Sequence, residues 1–283
     1  MAMKMINVGC GNVFHSSWVN IDIVSRFPEV TEHDLTQGLP FDDKSIDVCY
    51  SSHVLEHLRK NEADYFVSEC KRVLKAGGVL RLVVPDLEAI CRNYLRYLDE
   101  LVVTNHDHEF RYDYTILEMY DQLTRETPGG ELGALWSSEK IQDLAFVRSR
   151  GGLDAIEAIE SSKGMHGKKQ INNTRMTSYT GKIRRITKKL RTKAVELSIR
   201  LIMGKGALQS FRQGMFRNSG EIHRVMYDRY SLARFLKSHG FSEINLVQAH
   251  QSQIVLFNTY LLDTVDGVPR KPDSIYIEAV RGN

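Results

Sequence analysis

With 283 residues, the chain is long enough for one large domain, or for a domain carrying a big insertion, with a sizeable buried core. Hydrophobic residues at 42% and charged ones at 26% match an ordinary globular protein, and no apolar run approaches the roughly 18 residues that span a bilayer, so a transmembrane protein is not expected. The net charge of +3 hides an asymmetry: residues 168–217 hold fourteen Lys/Arg and one acid, Glu196, so that stretch carries +13 and the remainder −10, which suits either a contact with anionic headgroups or nucleic acid or a plain solvated face.

The N-terminus runs straight into an apolar segment without the long apolar stretch and cleavage site of a signal peptide, and a cytoplasmic location is expected. Residues 4–9 predict a short core strand that stops at the turn Gly9-Cys10-Gly11, and residues 18–23 predict a second strand ending near Asp22. A loop with His33-Asp34-Leu35 and the turn Leu39-Pro40-Phe41-Asp42-Asp43 follow. Residues 46–50 then predict a buried strand that opens into Ser51-Ser52-His53. Apolar positions 55, 58, 66, 70, 73 and 74 predict a helix over 54–74, stopped by Lys75-Ala76-Gly77-Gly78. Residues 79–84 are apolar enough to lie centrally in a parallel sheet, and a helix continues to about Leu101.

The regular alternation then stops for more than a hundred residues, which marks an insertion with helical pieces, a Gly/Ser-rich stretch near Pro128-Gly129-Gly130, and a polar segment over 161–173 expected to be mobile. It returns with a helix over 227–239 closed by Gly240, a strand over 244–247 and a last strand over 275–280. The whole pattern predicts a doubly wound, mostly parallel α/β sheet with a large, mainly helical insertion: residues 1–100 as the cofactor-binding half, 101–222 as the insertion and 223–283 completing the sheet. Cys10, Cys49, Cys70 and Cys91 are scattered with no C-x-x-C pair, as expected of reduced thiols rather than a zinc knuckle or disulfide framework.

A glycine turn after the first strand lets the backbone approach a ligand closely, and an acid ending the second can take the two hydroxyls of a ribose. Gly9, Gly11 and Asp22 fit those roles, although the glycines also fit simple turn chemistry. A nicotinamide fingerprint wants a third glycine where this chain has Phe14, which disfavours a dehydrogenase.

Taken in order, Asn7-Val8-Gly9-Cys10-Gly11, Asp22, Asp34-Leu35, Leu39-Pro40-Phe41, Ile46-Asp47-Val48, His53-Val54-Leu55-Glu56-His57 and Arg72-Val73-Leu74-Lys75-Ala76-Gly77-Gly78 resemble class I S-adenosylmethionine-dependent methyltransferases. The sequence is also similar to small bacterial methyltransferases of polysaccharide and lipopolysaccharide biosynthesis, through Tyr227-Asp228-x-Tyr230-Ser231-Leu232 and Pro272-Asp273-Ser274-Ile275-Tyr276-Ile277-Glu278-Ala279. The resemblance implies a Rossmann-like seven-stranded sheet, S-adenosylmethionine as cofactor with S-adenosylhomocysteine as product, and a glycan or glycolipid acceptor. It implies that Gly9, Cys10 and Gly11 face the methionine moiety, that Asp22 binds the ribose, that Asp34 and Leu35 flank the adenine, and that Ser51 joins the cofactor-binding set. One departure stands out: residues 12–19 are too short for the usual helix, which leaves that flank to side chains such as His15 and Trp18.

His53-x-x-Glu56-His57 is the most reactive-looking cluster, and on a helix its three residues would share one face. The spelling matches an inverted zinc-peptidase motif, whose chemistry needs a different setting. Methyltransferases of ubiquinone synthesis and of small-RNA ends carry a similar E-x-x-E-H that binds a divalent ion, but here His53 replaces the first acid, and no metal is assigned. The catalytic candidates are therefore His53, then His57, with Glu56, read as a base or substrate contact; fold-supporting hydrogen bonds are the competing reading. His223 either adds a substrate contact or is an ordinary surface histidine.

Apolar positions 183, 186, 190, 194, 197 and 201, with seven basic residues between 182 and 193, predict a basic amphipathic helix over 182–203. It suits peripheral attachment to an anionic membrane, or packing on the domain with its charges in water. The expectation is an O-methyltransferase of a sugar hydroxyl. A nucleic-acid methyltransferase is the rival within enzymes, although no motif for base or RNA chemistry accompanies the basic segment and a nucleic-acid partner is not expected. A catalytically silent cofactor-binding subunit that holds a partner enzyme is the rival from another class.

Overall fold

The short apolar segments of the N-terminal part pair as parallel strands because both faces of each are covered, which removes the need for polar alternation. In the computed structural model, which describes residues 3–25, 27–104, 108–162 and 179–282, they are β1 (Met5–Val8), β2 (Val19–Asp22), β3 (Val30–Glu32), β4 (Ile46–Ser52) and β5 (Leu74–Pro85). The later strands are β6 (Phe241–Val247), a small hairpin of β7 (Thr264–Val265) and β8 (Val268–Pro269), and β9 (Ser274–Arg281). The main sheet has seven strands in the order β3-β2-β1-β4-β5-β9-β6. Here β9 runs antiparallel to both of its neighbours, and the others are parallel. The architecture is the mostly parallel, doubly wound sheet of the Rossmann-like methyltransferase fold with a helical insertion.

Side chains alternate across the sheet and sort into two cores. Ile6, Val8, Ile21, Leu80, Leu82 and Ile277 bury one face against α1 (Lys60–Val73) and, in the last part of the chain, the helix Arg229–Ser238 through Phe66, Val67, Leu232 and Leu236. The other face carries Met5, Val48, Tyr50, Val83 and Tyr276, and it meets Trp18, Ala249, Ile254, Phe257 and Leu262. The segment between β6 and β9 therefore occupies the space left by the missing helix between β1 and β2. Trp18 is a core residue here, edge-on to Tyr50, Phe257 and Tyr260, while His15 packs on Tyr260.

One side chain pins that segment. Arg81, the polar residue of the apolar stretch 79–84 in β5, is 0% exposed and sits between two acids, with Nε donating to Asp263 Oδ2 and Nη1 to Glu278 Oε1, both at 2.7 Å. It also donates to the Gln251 carbonyl at 2.9 Å, and its guanidinium lies 4.5 Å from the Phe257 ring centre. Tyr50 donates to the second Asp263 oxygen at 2.5 Å, and Ser252 to Glu278 at 2.5 Å.

The C-terminal helix named above is α7; α2 (Leu87–Thr104) leads into the insertion, whose helices are α3 (Glu109–Thr124), α4 (Gly130–Trp136), α5 (Leu144–Ser162) and α6 (Tyr179–Arg217). The insertion has its own core of Tyr114, Leu132, Phe146, Val147, Ala155 and Ile159, joined by Tyr97 of α2. Gly152 joins that core to the sheet: its φ of +57° kinks α5, and a Cβ there would lie 2.3 Å from the Arg270 carbonyl and 2.4 Å from Pro272. Only glycine fits so close to another backbone at a left-handed φ.

Several boundaries differ from those the sequence predicts. The helix expected over 54–74 starts only at Lys60, because His53 has φ of +54° and residues Leu55–His57 form a single tight turn. Its start is fixed by Glu62, whose side chain accepts from the Arg59 amide at 2.8 Å. The chain leaves the helix directly into β5, so Gly77 turns within the strand's first residues rather than capping the helix. The sequence predicts a loop where the edge strand β3 lies, because three residues carry no period. The segment 163–173, expected to be mobile, lies outside the described residues, while 161 and 162 end α5.

Candidate active site

A cavity of about 780 Å³ opens at the carboxyl ends of β1 and β4, within the size range of small-molecule sites. One wall is the glycine turn, Gly9 to Val13, held by the Gly9 amide on the Ile21 carbonyl at 2.8 Å. Gly11 has φ of +53° and open space where a Cβ would stand, so the backbone there can be approached by a ligand. Asn7 supports the turn from below, donating to the Val13 carbonyl at 3.0 Å. Burial, and then the Asp22 charge, push the Cys10 thiol up to about 12, which disfavours the thiolate.

Across the cavity stands His53 at the end of β4. Its Nε2 lies 2.9 Å from Ser274 Oγ at the start of β9, and its Nδ1 lies 3.2 Å from Glu56 Oε1. Burial holds the imidazole well below its usual pKa, hence neutral, so one ring nitrogen keeps a lone pair. Behind it, Glu56 is 0% exposed, and burial pushes its carboxyl up to about 8. His57 and His223 stack edge to face with ring centres 4.6 Å apart and are pushed down to about 4 and about 2, chiefly by burial.

The roof comes from the insertion and the β8–β9 turn: Asp154, Glu157 and Ser161 of α5 face Arg270 and Lys271, with Lys271 Nζ 3.6 Å from Asp154. Leu262 and Asp263 complete the wall opposite. None of these residues stands out in the sequence, because acids on an insertion helix carry no motif. Ser274 has a sequence signal only as one letter of the C-terminal pattern. His223, for which the sequence allows either a surface position or a substrate contact, is buried.

Of the cofactor-binding candidates, Gly9, Cys10 and Gly11 line the cavity and the other four do not. Asp22 stands behind the turn, where Oδ2 accepts from the Gly11 amide at 2.8 Å and Oδ1 from the Val24 amide at 3.0 Å. Asp34 caps the short turn Leu35–Gln37 through Thr36, and those hydrogen bonds lower its pKa. Leu35 packs on the main core, and Ser51 donates to the Val8 carbonyl at 2.9 Å, clasping β4 to β1. The catalytic candidates His53, Glu56 and His57 do meet in space, although they do so around a left-handed turn rather than along one helix face.

Residues 6–82 match the methyltransferase domain family. A curated relative from Mycolicibacterium smegmatis, described as a probable S-adenosylmethionine-dependent methyltransferase, is 41% identical over 63 residues. That match takes 22% of this chain, and the chain spans only 24% of the relative's length. Among solved structures, an S-adenosylmethionine-dependent methyltransferase from Thermotoga maritima aligns over 99% of this chain and 83% of its own at 9% identity, with a TM-score of 0.37. Another from Methanosarcina mazei covers 37% of this chain and 63% of its own at 22% identity, with a TM-score of 0.27. The family match and the curated relative support S-adenosylmethionine as the cofactor of the N-terminal half, and the open glycine turn fits a ligand of that kind.

Proposed function

We propose that this protein is an S-adenosylmethionine-dependent O-methyltransferase whose acceptor is a sugar hydroxyl of a glycan or glycolipid intermediate. The observation that carries the reading is the position of His53 across one cavity from the Gly9 to Gly11 turn. When bound, S-adenosylmethionine supplies an activated sulfonium methyl, so the protein has only to align the nucleophile and take its proton. Proton removal falls to His53, which lines the cavity, is held by Ser274 Oγ at its Nε2, and has Glu56 Oε1 3.2 Å from its Nδ1. The roof favours a polyhydroxylated acceptor, because Asp154 and Glu157 accept from hydroxyls while Arg270 and Lys271 donate. The test is mass spectrometry of glycans from cells with and without the protein. A glycan lighter by one CH₂ per lost methyl is expected in its absence, and unchanged glycans count against the acceptor.

The basic helix supports delivery to a membrane-borne acceptor. No helix among the described residues is long and apolar enough to cross a membrane. The outer part of α6 instead leaves its apolar residues uncovered, with Leu201 76%, Ile202 82% and Met203 70% exposed, between the exposed Arg200 and Lys205. Each basic residue near an anionic surface contributes on the order of 1 kcal/mol, and salt screens it. Co-sedimentation with anionic liposomes at low salt is expected for the native chain, with release at high salt and weaker binding when Arg191, Lys193, Arg200 and Lys205 are changed to glutamine. A native chain that stays in the supernatant at low salt makes α6 a contact for protein instead.

A further inference from the structure

Glu56 is 0% exposed, and neither carboxylate oxygen has a hydrogen-bond partner among the described residues. His53 Nδ1 lies close, at 3.2 Å, but without hydrogen-bond alignment. Burying a carboxyl with both oxygens bare is costly, and such groups in native folds are explained by an ion or a role. Two further groups converge on it. His223, also buried, has Nε2 4.0 Å from Glu56 Oε1, and its Nδ1 has no partner among the described residues. His57 directs Nδ1 to the Ile222 carbonyl at 3.3 Å, which leaves Nε2 with its lone pair.

We propose that Glu56, His57 and His223 form a binding site for a divalent transition-metal ion of the zinc class. One ligand atom from each residue lies within 4.8 Å of the others. Tetrahedral zinc, with bonds of about 2.0–2.2 Å to nitrogen and oxygen, sets its ligand atoms roughly 3.4 Å apart, so modest side-chain rotations complete the shell. Two imidazoles with one carboxylate favour such an ion over magnesium or calcium, which take oxygen ligands. The backbone carbonyl on His57 Nδ1 is the usual outer partner of a metal-bound histidine, fixing its tautomer. A proton on Glu56 is the alternative relief for its charge, but it engages at most one neighbour, whereas a cation takes one ligand atom from each of the three side chains.

Local charge and backbone are compatible with an added cation. Arg125 and Lys271, the cations felt at this cluster, are each matched by an acid, Asp121 at 3.2 Å and Asp154 at 3.6 Å. The ligand-bearing segments are already clamped, since the amides of Arg224 and Val225 donate to the Glu56 carbonyl at 2.6 and 3.3 Å and that of His223 to the Gln122 carbonyl at 3.0 Å. The ion would tie the turn that carries His53 to the point where the chain leaves the insertion. This site does not depend on methyl transfer and holds whatever the acceptor is.

The experiment uses the full chain without a histidine tag, stripped with chelator and titrated with Co²⁺ while the visible ligand-field absorption is followed. A band that saturates near about one equivalent and is displaced by Zn²⁺ is expected, together with a rise in melting temperature on Zn²⁺ addition. In His57→Gln/His223→Gln the band should vanish and Zn²⁺ affinity fall at least 100-fold, as roughly expected for lost ligands. Glu56→Gln, nearly the same shape, should show the same loss, and far-UV circular dichroism checks that each variant is folded. No saturable band in the native chain, or an unchanged band in the folded variants, overturns the proposal. S-adenosylhomocysteine binding and methyl transfer by the native chain, measured separately, test the functional reading, so the two ideas fail separately.

Discussion

Replacing His53 by alanine is expected to lower methyl-transfer turnover by roughly 10²–10⁴-fold while leaving cofactor affinity close to native, because general-base groups contribute about that much and the glycine turn is untouched. The left-handed φ of +54° at His53 makes the position unusual, since strain of this kind persists where the surroundings over-determine it. The hydrogen bond between its Nε2 and Ser274 Oγ at 2.9 Å holds the ring there. Single-turnover transfer of a labelled methyl group, with the variant's cofactor affinity measured alongside, separates the roles. Turnover within about threefold of native would reassign His53 to structure and move attention to His57.

Arg81→Met is expected to destabilise the fold by about 3–5 kcal/mol, the usual cost of removing one partner from a buried ionic network. The loss is large because Asp263 and Glu278 would remain, both buried and without their cation. It should also loosen the segment between β6 and β9, and with it Leu262 and Asp263 in the cavity wall. Urea denaturation followed by tryptophan fluorescence reads the change, with a constant m-value as evidence that the unfolded state is unaltered. The triple change Arg81→Met, Asp263→Asn, Glu278→Gln should recover part of the stability, since no bare charge is left. A loss below about 1 kcal/mol in the single variant means that the network is not what anchors that segment.

Both residues show what the sequence can and cannot convey. The sheet is legible because its signals are local: apolar runs of strand length, glycine turns and the alternation with helices mark β1, β4 and β5 wherever their partners lie. His53 is legible too, at the end of a predicted strand. Arg81 is not, because it reads as one polar letter in an apolar strand, while its partners stand 182 and 197 positions away. The replacement of a missing helix by the segment after β6 is equally non-local. Trp18 can be placed on that flank from the sequence, but Phe257 and Leu262 carry no signal that they meet it. The face-sharing argument for His53, Glu56 and His57 predicts that the three meet, which they do, but through the wrong local geometry, since all three precede the helix that starts at Lys60.

The glycine turn bears on the central claim most directly. Calorimetric titration of the native chain and of Asp22→Ala with S-adenosylhomocysteine tests it without any knowledge of the acceptor. Asp22 Oδ2 holds the Gly11 amide at 2.8 Å, so its loss frees the turn that would cradle the cofactor. Saturable binding by the native chain is expected, with the variant weaker by about 1.5–3 kcal/mol, roughly ten- to a hundredfold. Absence of saturable binding by the native chain would contradict the assignment of this cavity to S-adenosylmethionine.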